Sequence, residues 1–147
     1  MIRISFVAGF GPITRDPVQS HRFYNGALGI RFEGDPGYYH TDDLDGVRAF
    51  ALWPLSAAAQ SCFGADEWPD DVPVPQAWLE FDVESAEAVA SAATELSGSG
   101  HTLLVPTKTE EWGQTVARLL SPEGLLLGIT YTPWMHRDAA EGPITES

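Results

Sequence analysis

Residues 15–29, Arg15-Asp16-Pro17-Val18-Gln19-Ser20-His21-Arg22-Phe23-Tyr24-Asn25-Gly26-Ala27-Leu28-Gly29, decide how the rest of the chain is read. Asp16 stands where a side chain accepts from first-turn amides, Pro17 suits the first helical position, and Gln19 takes the capping-box place. Phe23, Tyr24, Ala27 and Leu28 then recur at helical spacing before Gly29 closes the helix. Upstream, Ile2 to Ile13 mixes β-branched, aromatic and glycine residues and reads as a strand with free space on one face. Downstream, Ile30–Glu33, Tyr38–His40 and Val47–Trp53 read as strands separated by turn formers, Gly34-Asp35-Pro36-Gly37 and Asp42 to Gly46. The order is βαβββ.

The same order returns about half a chain length later. Ala77 to Val83 alternates as a strand, Ser85 to Leu96 is a helix with Val89, Ala92, Ala93 and Leu96 on its inner stripe, and Thr102–Val105, Gln114–Leu120 and Leu125–Tyr131 read as strands. Neither half holds enough core by itself, so the expectation is one α+β domain over 2–132, built from two modules at about 2–54 and 76–132. The connector, 55–75, breaks every period and carries a short helix at Ser56–Cys62. A tail, 133–147, follows, and its polar part from Asp138 to Ser147 reads as disordered.

Across 147 residues, 8 Lys and Arg stand against 21 Asp and Glu, a net charge of −13. That field repels phosphate backbones and anionic lipid, so nucleic acid and membrane surfaces are excluded as expected partners. No apolar run is long enough to span a bilayer, and no secretory leader is visible at the amino terminus. The lone Cys62 forms no internal disulfide, which places the expected compartment in the reducing cytoplasm.

Several short motifs lie in one order: Arg15-Asp16-Pro17, Phe23-Tyr24, Leu28-Gly29, Glu111-Trp112-Gly113-Gln114, and Ser121-Pro122-Glu123-Gly124 before a last strand. Together they resemble the vicinal oxygen chelate superfamily of glyoxalase I, extradiol dioxygenases and bleomycin-resistance proteins. The resemblance implies two modules that curl their sheets into a partly open barrel around a concave cavity, commonly completed by a homodimer. It also implies a divalent metal held by His, Glu or Gln from the first and fourth strands of each module, chelating two adjacent substrate oxygens. Counting from the helix starts and from Gly124 puts Gly9, Trp78 and Gly128 at three of those positions, with Ala51 or Trp53 at the fourth. A slip of one residue brings Ala8 or Phe10, Ala77 or Leu79, and Leu127 or Ile129, and still no ligand. No metal and no other cofactor is expected.

If Trp78 faces the cavity, period two puts Glu80 and Asp82 beside it and turns Leu79, Phe81 and Val83 toward the helix. An aromatic plate next to a carboxylate suits a flat or cationic ligand; otherwise Trp78 fills the barrel and Glu80 pairs with a buried Arg such as Arg118. Gly9, Gly11 and Gly128 either clear volume for a ligand or mark tight packing. Trp112 and Gln114 either wall the cavity or form a turn, and Trp53 and Trp68 flank the connector, whose acids around Trp68 would make a negative lip or a solvated loop. In Tyr38-Tyr39-His40, alternation sends Tyr39 to the opposite face, with packing or a dimer contact as the expected role. His21, His40, His101 and His136 are too dispersed for a metal site, and Cys62 has no partner that would make it a nucleophile.

The expected function is metal-independent binding of a small aromatic or cationic, antibiotic-like compound by Trp78, Glu80, Trp112, Gln114 and Trp53, without catalysis. The alternative is a glyoxalase- or dioxygenase-like enzyme, with displaced metal ligands or with Glu80 as general base.

Overall fold

The Asp16 carboxylate accepts from the Gln19 amide at 3.1 Å and Pro17 fills the first turn, so the helix starts where its sequence places it. The computed structural model describes residues 1–136. Strand β1 (Phe6–Thr14) leads into helix α1 (Pro17–His21), which runs on as a π-helical segment over Arg22–Ala27. Then come β2 (Tyr39–Thr41), β3 (Phe50–Pro54), helix α2 (Leu55–Phe63) and β4 (Ala77–Asp82). Helix α3 (Ala86–Gly98) and strands β5 (Val105–Thr109), β6 (Thr115–Leu120) and β7 (Leu126–Tyr131) complete the order. Ser85 caps α3 by accepting from the Ala88 amide. Among the described residues no helix is long and apolar enough to cross a membrane.

One open seven-stranded sheet carries everything, in the order β2-β3-β1-β4-β7-β6-β5. The two halves of the repeat meet where β1 and β4 pair antiparallel, and each half pairs its first strand parallel to its last, β1 with β3 and β4 with β7. The first half is one strand short of βαβββ. Residues 30–33 keep only a single bridge, Glu33 to His40, because the chain turns at once through Gly34 (φ 97°) and Asp35, whose carboxylate accepts from the Gly37 amide. Phe32 anchors this stretch through rings instead, packing on His21, Tyr39 and Phe50.

Other boundaries also move. Strand β1 begins at Phe6 rather than Ile2, and Ile2 packs against the α3 core instead. The strand expected at Thr102–Val105 lies at Val105–Thr109, since an edge strand with a bulge accommodates Pro106 and the β-branched Thr107 and Thr109 favour extension. Helix α2 spans the stretch read as a short helix and stops at Gly64, whose φ is 70°. The acidic tail from Asp138 to Ser147 lies outside the described residues.

Two cores cover the two faces. On one, α3 buries Val89, Ala92 and Ala93 against Val83, Ala117 and Ile129, with Phe81 alongside. On the other, Ala58, Ala59 and Cys62 of α2 pack with Ala51, Trp53, Trp78 and Leu126. Trp68 joins this second core, its indole N–H donating to the carbonyls of Val72 and Pro73 and its ring edge-on to Phe63. The acids around it, Asp66, Glu67 and Asp70, are exposed and border a separate cleft, so of the two readings the solvated loop holds and the lip at the main cavity does not.

Register explains the glycines. Gly9, Glu80, Gly128 and Arg118 lie in one row across β1, β4, β7 and β6, and Gly11 pairs with Trp78 in the next. A Cβ on Gly9 would stand 2.7 Å from the Trp78 ring, and one on Gly128 would stand 3.1 Å from both Arg118 Nη1 and Glu80 Cγ. These glycines therefore clear volume for the protein's own side chains, not for a ligand. Gly11→Ala is the sharpest test, because its Cβ would lie 2.0 Å from the Ala51 carbonyl oxygen, a backbone atom that cannot step aside. We expect a stability loss of about 3 kcal/mol in urea unfolding.

Candidate functional site

The concave face of the sheet holds a cavity of about 1320 Å³, and all five residues singled out from the sequence line it: Trp53, Trp78, Glu80, Trp112 and Gln114. Strand β4 delivers Trp78 and Glu80 by alternation, with Asp82 buried on the same face. Trp53 enters from β3, Gln114 from the entry to β6, and Trp112 from the turn that Gly113 makes at φ 99°.

The floor is a hydrogen-bond network. Arg118 Nη1 donates to Glu80 Oε2 at 3.1 Å, and Gln114 Nε2 donates to Glu80 Oε1 at 3.0 Å and to Thr132 Oγ1 at 2.8 Å. Trp112 Nε1 donates to Gln114 Oε1 at 3.0 Å, which fixes the orientation of the amide. Thr132 in turn donates to Asp82, a fully buried carboxylate that also accepts from Thr130 Oγ1 and from the Thr132 amide. His136 Nε2 meets Asp82 Oδ2 at 2.5 Å, between the rings of Phe6 and Tyr131. That contact pins the strap 133–136, which supplies Trp134 and Met135 to the cavity wall.

Glu80 is thus not a lone carboxylate beside an aromatic plate; it is half of a buried ion pair. Trp78 is a structural ring as well as a lining one, since its indole N–H donates to the Ala51 carbonyl at 3.2 Å and its ring meets Trp53 edge-on at 6.1 Å. Arg118 lies over the Trp53 ring at 5.0 Å.

Among the further cavity residues that escaped the sequence reading of the site are Tyr38, His40, Trp134 and Met135. Alternation in Tyr38-Tyr39-His40 held a usable signal, because Tyr39 does turn away, to stack on His21 at 4.0 Å, while Tyr38 and His40 stack at 5.1 Å on the cavity side. Although the Tyr38 ring is half exposed at the mouth, burial pushes its hydroxyl up to about 12, with the Glu80 charge adding and Arg118 opposing. It remains a proton donor at every physiological pH. The rim carries Glu33, Asp42 and Asp45, with Arg48 over the Phe6 ring at 4.0 Å.

The positions at which the family resemblance implies metal ligands do not fit a metal. Gly9, Ala51 and Gly128 have no donor atom, the Trp78 and Trp53 rings have no acceptor nitrogen, and the space over Gly9 and Gly128 is taken by Trp78 and by the Glu80–Arg118 pair. Among the described residues, no three His, Cys, Asp or Glu side chains are grouped to hold an ion.

Beneath the floor, Glu110 accepts from Ser61 Oγ at 2.5 Å and pairs with Lys108 at 3.4 Å. Neighbouring Cys62 is buried, and that burial pushes its thiol from 9.0 up to about 11, with Arg118 and Lys108 opposing and Glu110 adding. Since the folded value lies above the unfolded one, the protonated thiol favours the fold below pH 9, and this contribution is lost as pH rises through about 11. At pH 8 we expect native Cys62 to alkylate with iodoacetamide about a hundredfold more slowly than in urea. Equal rates would contradict its placement.

No family model and no curated protein matches the sequence. Solved structures do match its fold. A glyoxalase/bleomycin resistance protein/dioxygenase superfamily member from Vibrio splendidus 12B01 is 18% identical, with 88% of this chain and 100% of that one covered and a TM-score of 0.54. The Mn(II)-bound glyoxalase from Novosphingobium aromaticivorans is 14% identical over 85% of this chain and 37% of its own, also at 0.54. The structure of a NAD-dependent benzaldehyde dehydrogenase from Legionella pneumophila is 18% identical, covering 84% and 96%, at 0.56.

Proposed function

We propose that this chain, which has the fold of the vicinal oxygen chelate superfamily, binds a flat aromatic small molecule in its cavity without a metal and releases it unchanged. One observation carries the reading. Where the fold elsewhere supports metal chemistry, this chain places Trp78 and a Glu80–Arg118 pair, and it lines the space above them with Trp53, Trp112, Trp134 and Tyr38. Tryptophan faces supply large apolar area at low entropic cost, and offset or edge contacts with a ligand ring add about 0.5–1.5 kcal/mol each. A cavity of about 1320 Å³ exceeds the usual range for drug-sized ligands, so a two- or three-ring compound fits with room to spare.

Arg118 already neutralises Glu80 at the floor, so attraction for a cation rests on the tryptophan faces and on the rim acids Glu33, Asp42 and Asp45, which Arg48 partly offsets. Catalysis by Glu80 as a general base has less support, since both of its oxygens already accept hydrogen bonds. A homodimer that completes the cavity belongs to the same proposal and is supported by exposed Val7, Phe10 and Phe23.

Equilibrium dialysis against naphthalene, isoquinoline, acridine and flavone, followed by mass spectrometry of the recovered compound, tests the reading. Micromolar retention of at least one, at unchanged mass and with tryptophan quenching, is the expected result. A product of altered mass, or retention of none, overturns it.

A further inference from the structure

Two elements carry exposed tryptophan rings to the cavity wall: the turn between β5 and β6 brings Trp112, and the strap 133–136 brings Trp134. A line of hydrogen bonds joins these elements. Trp112 Nε1 donates to Gln114 Oε1 at 3.0 Å, Gln114 Nε2 donates to Thr132 Oγ1 at 2.8 Å, and Thr132 Oγ1 donates to Asp82 Oδ1 at 2.8 Å. His136, in the strap, reaches the other oxygen of the same carboxylate, Asp82 Oδ2.

All three donors in this line point the same way, toward a buried carboxylate. Gln114 cannot reverse, because its amide nitrogen also donates to Glu80 Oε1, and a flipped amide would set its oxygen against that carboxylate and its NH2 against the Trp112 N–H. The Thr132 hydroxyl has one proton and already receives a hydrogen bond from Gln114, so that proton goes to Asp82. Bonds aligned in series in a buried site polarise one another, and losing one weakens the rest. The strap end can nevertheless release. Asp82 also accepts from Thr130 Oγ1 at 2.6 Å and from the Thr132 amide at 3.0 Å, so three donors still hold the carboxylate when His136 leaves it. Thr132 is the residue at which β7 gives way to the strap, and its carbonyl accepts from the Met135 amide at 3.0 Å.

We infer that the Trp112 turn and the strap form one coupled clasp on the cavity wall, each holding the other in place through Gln114, Thr132 and Asp82. Any contact that orders Trp112 then fastens the strap as well, and any that frees His136 loosens Trp112. The coupling belongs to the protein without ligand and does not rest on the aromatic-binding reading above.

Hydrogen exchange followed by NMR on the full chain tests it. Trp112→Phe keeps a ring at the turn and removes only the indole N–H from the line. It should speed exchange of the Thr132 and Met135 amides by about three- to fivefold, the scale of one net hydrogen bond, while the Ala92 and Ala93 amides of α3, in the core on the other face, hold their rates. In the other direction, His136→Ala should speed exchange of the Trp112 indole N–H by a similar factor, because a coupling between two sites is reciprocal. Thr132→Val takes out the middle link, and in that background Trp112→Phe should leave the Met135 amide unchanged. The two single variants decide the matter by themselves should Thr132→Val fail to fold. Unchanged Thr132 and Met135 exchange in Trp112→Phe overturns the inference, and so does an equal rise at Ala92 and Ala93, which marks a general loss of stability. A Trp112 indole indifferent to His136→Ala overturns it too, as does a Trp112→Phe effect that persists in Thr132→Val.

Discussion

Replacing Arg118 with Met is expected to lower the unfolding free energy by about 3–5 kcal/mol in urea denaturation, the scale of removing one partner from a buried ion pair. The aliphatic volume is nearly kept, so the loss reports charge. Without the guanidinium, Glu80 keeps only the Gln114 amide, and Glu110 loses a positive neighbour at 3.7 Å. The companion substitution Glu80→Gln removes the stranded carboxylate, so the double variant Glu80→Gln/Arg118→Met should recover a large part of the loss. If Arg118→Met costs under about 1 kcal/mol, the pair is not the buried keystone of the floor that its 1% exposure implies.

Trp78→Ala ranks beside it, with an expected loss of about 3–5 kcal/mol and of all affinity for flat aromatic ligands. The indole is buried, hydrogen-bonded to Ala51, and seated over Gly9 and Gly11, neither of which has a side chain to move into the void. The hole therefore stays open, which puts the cost toward the upper end for its size. Free indole should bind that hole and raise the unfolding temperature of the variant while leaving the unmodified protein less affected. A stable Trp78→Ala protein with unchanged aromatic affinity would mean that the ring neither supports the floor nor touches the ligand.

Much of this arrangement is legible in the chain because local chemistry and fold agree. Asp16, Pro17 and Gln19 announce α1, Ser85 announces α3, and alternation over Ala77 to Val83 sorts Trp78, Glu80 and Asp82 from Phe81 and Val83. The repeat is visible for the same reason. What stays hidden depends on contacts between distant segments. Residues 30–33 have strand-like composition but find only one bridge, and Pro106 looks like a strand breaker until β5 proves to be an edge. Trp68 sits among acids in sequence and in the core in space, because its indole N–H closes a local turn onto Val72 and Pro73.

The glycines carry the plainest lesson. In sequence, Gly9, Gly11 and Gly128 are only empty places on cavity strands; in the sheet they stand next to Trp78, Glu80 and Arg118 and are the reason those larger groups fit. Trp134 and Met135 were unreadable as wall residues since their position depends on His136 reaching Asp82, 54 positions earlier. No local pattern encodes that reach.

We propose that the floor of this cavity recognises an aromatic ring, whereas one structure of similar fold is a Mn(II)-bound glyoxalase. A thermal unfolding series on one preparation, with Mn²⁺, Ni²⁺, Zn²⁺ and Fe²⁺ in one arm and flavone in the other, separates the two. At one hundred times its dissociation constant a ligand adds about 2.7 kcal/mol, a rise of several degrees for a domain of this size. That rise is expected with flavone and not with stoichiometric metal; a rise with one of the metals and none with flavone would overturn the aromatic-binding reading.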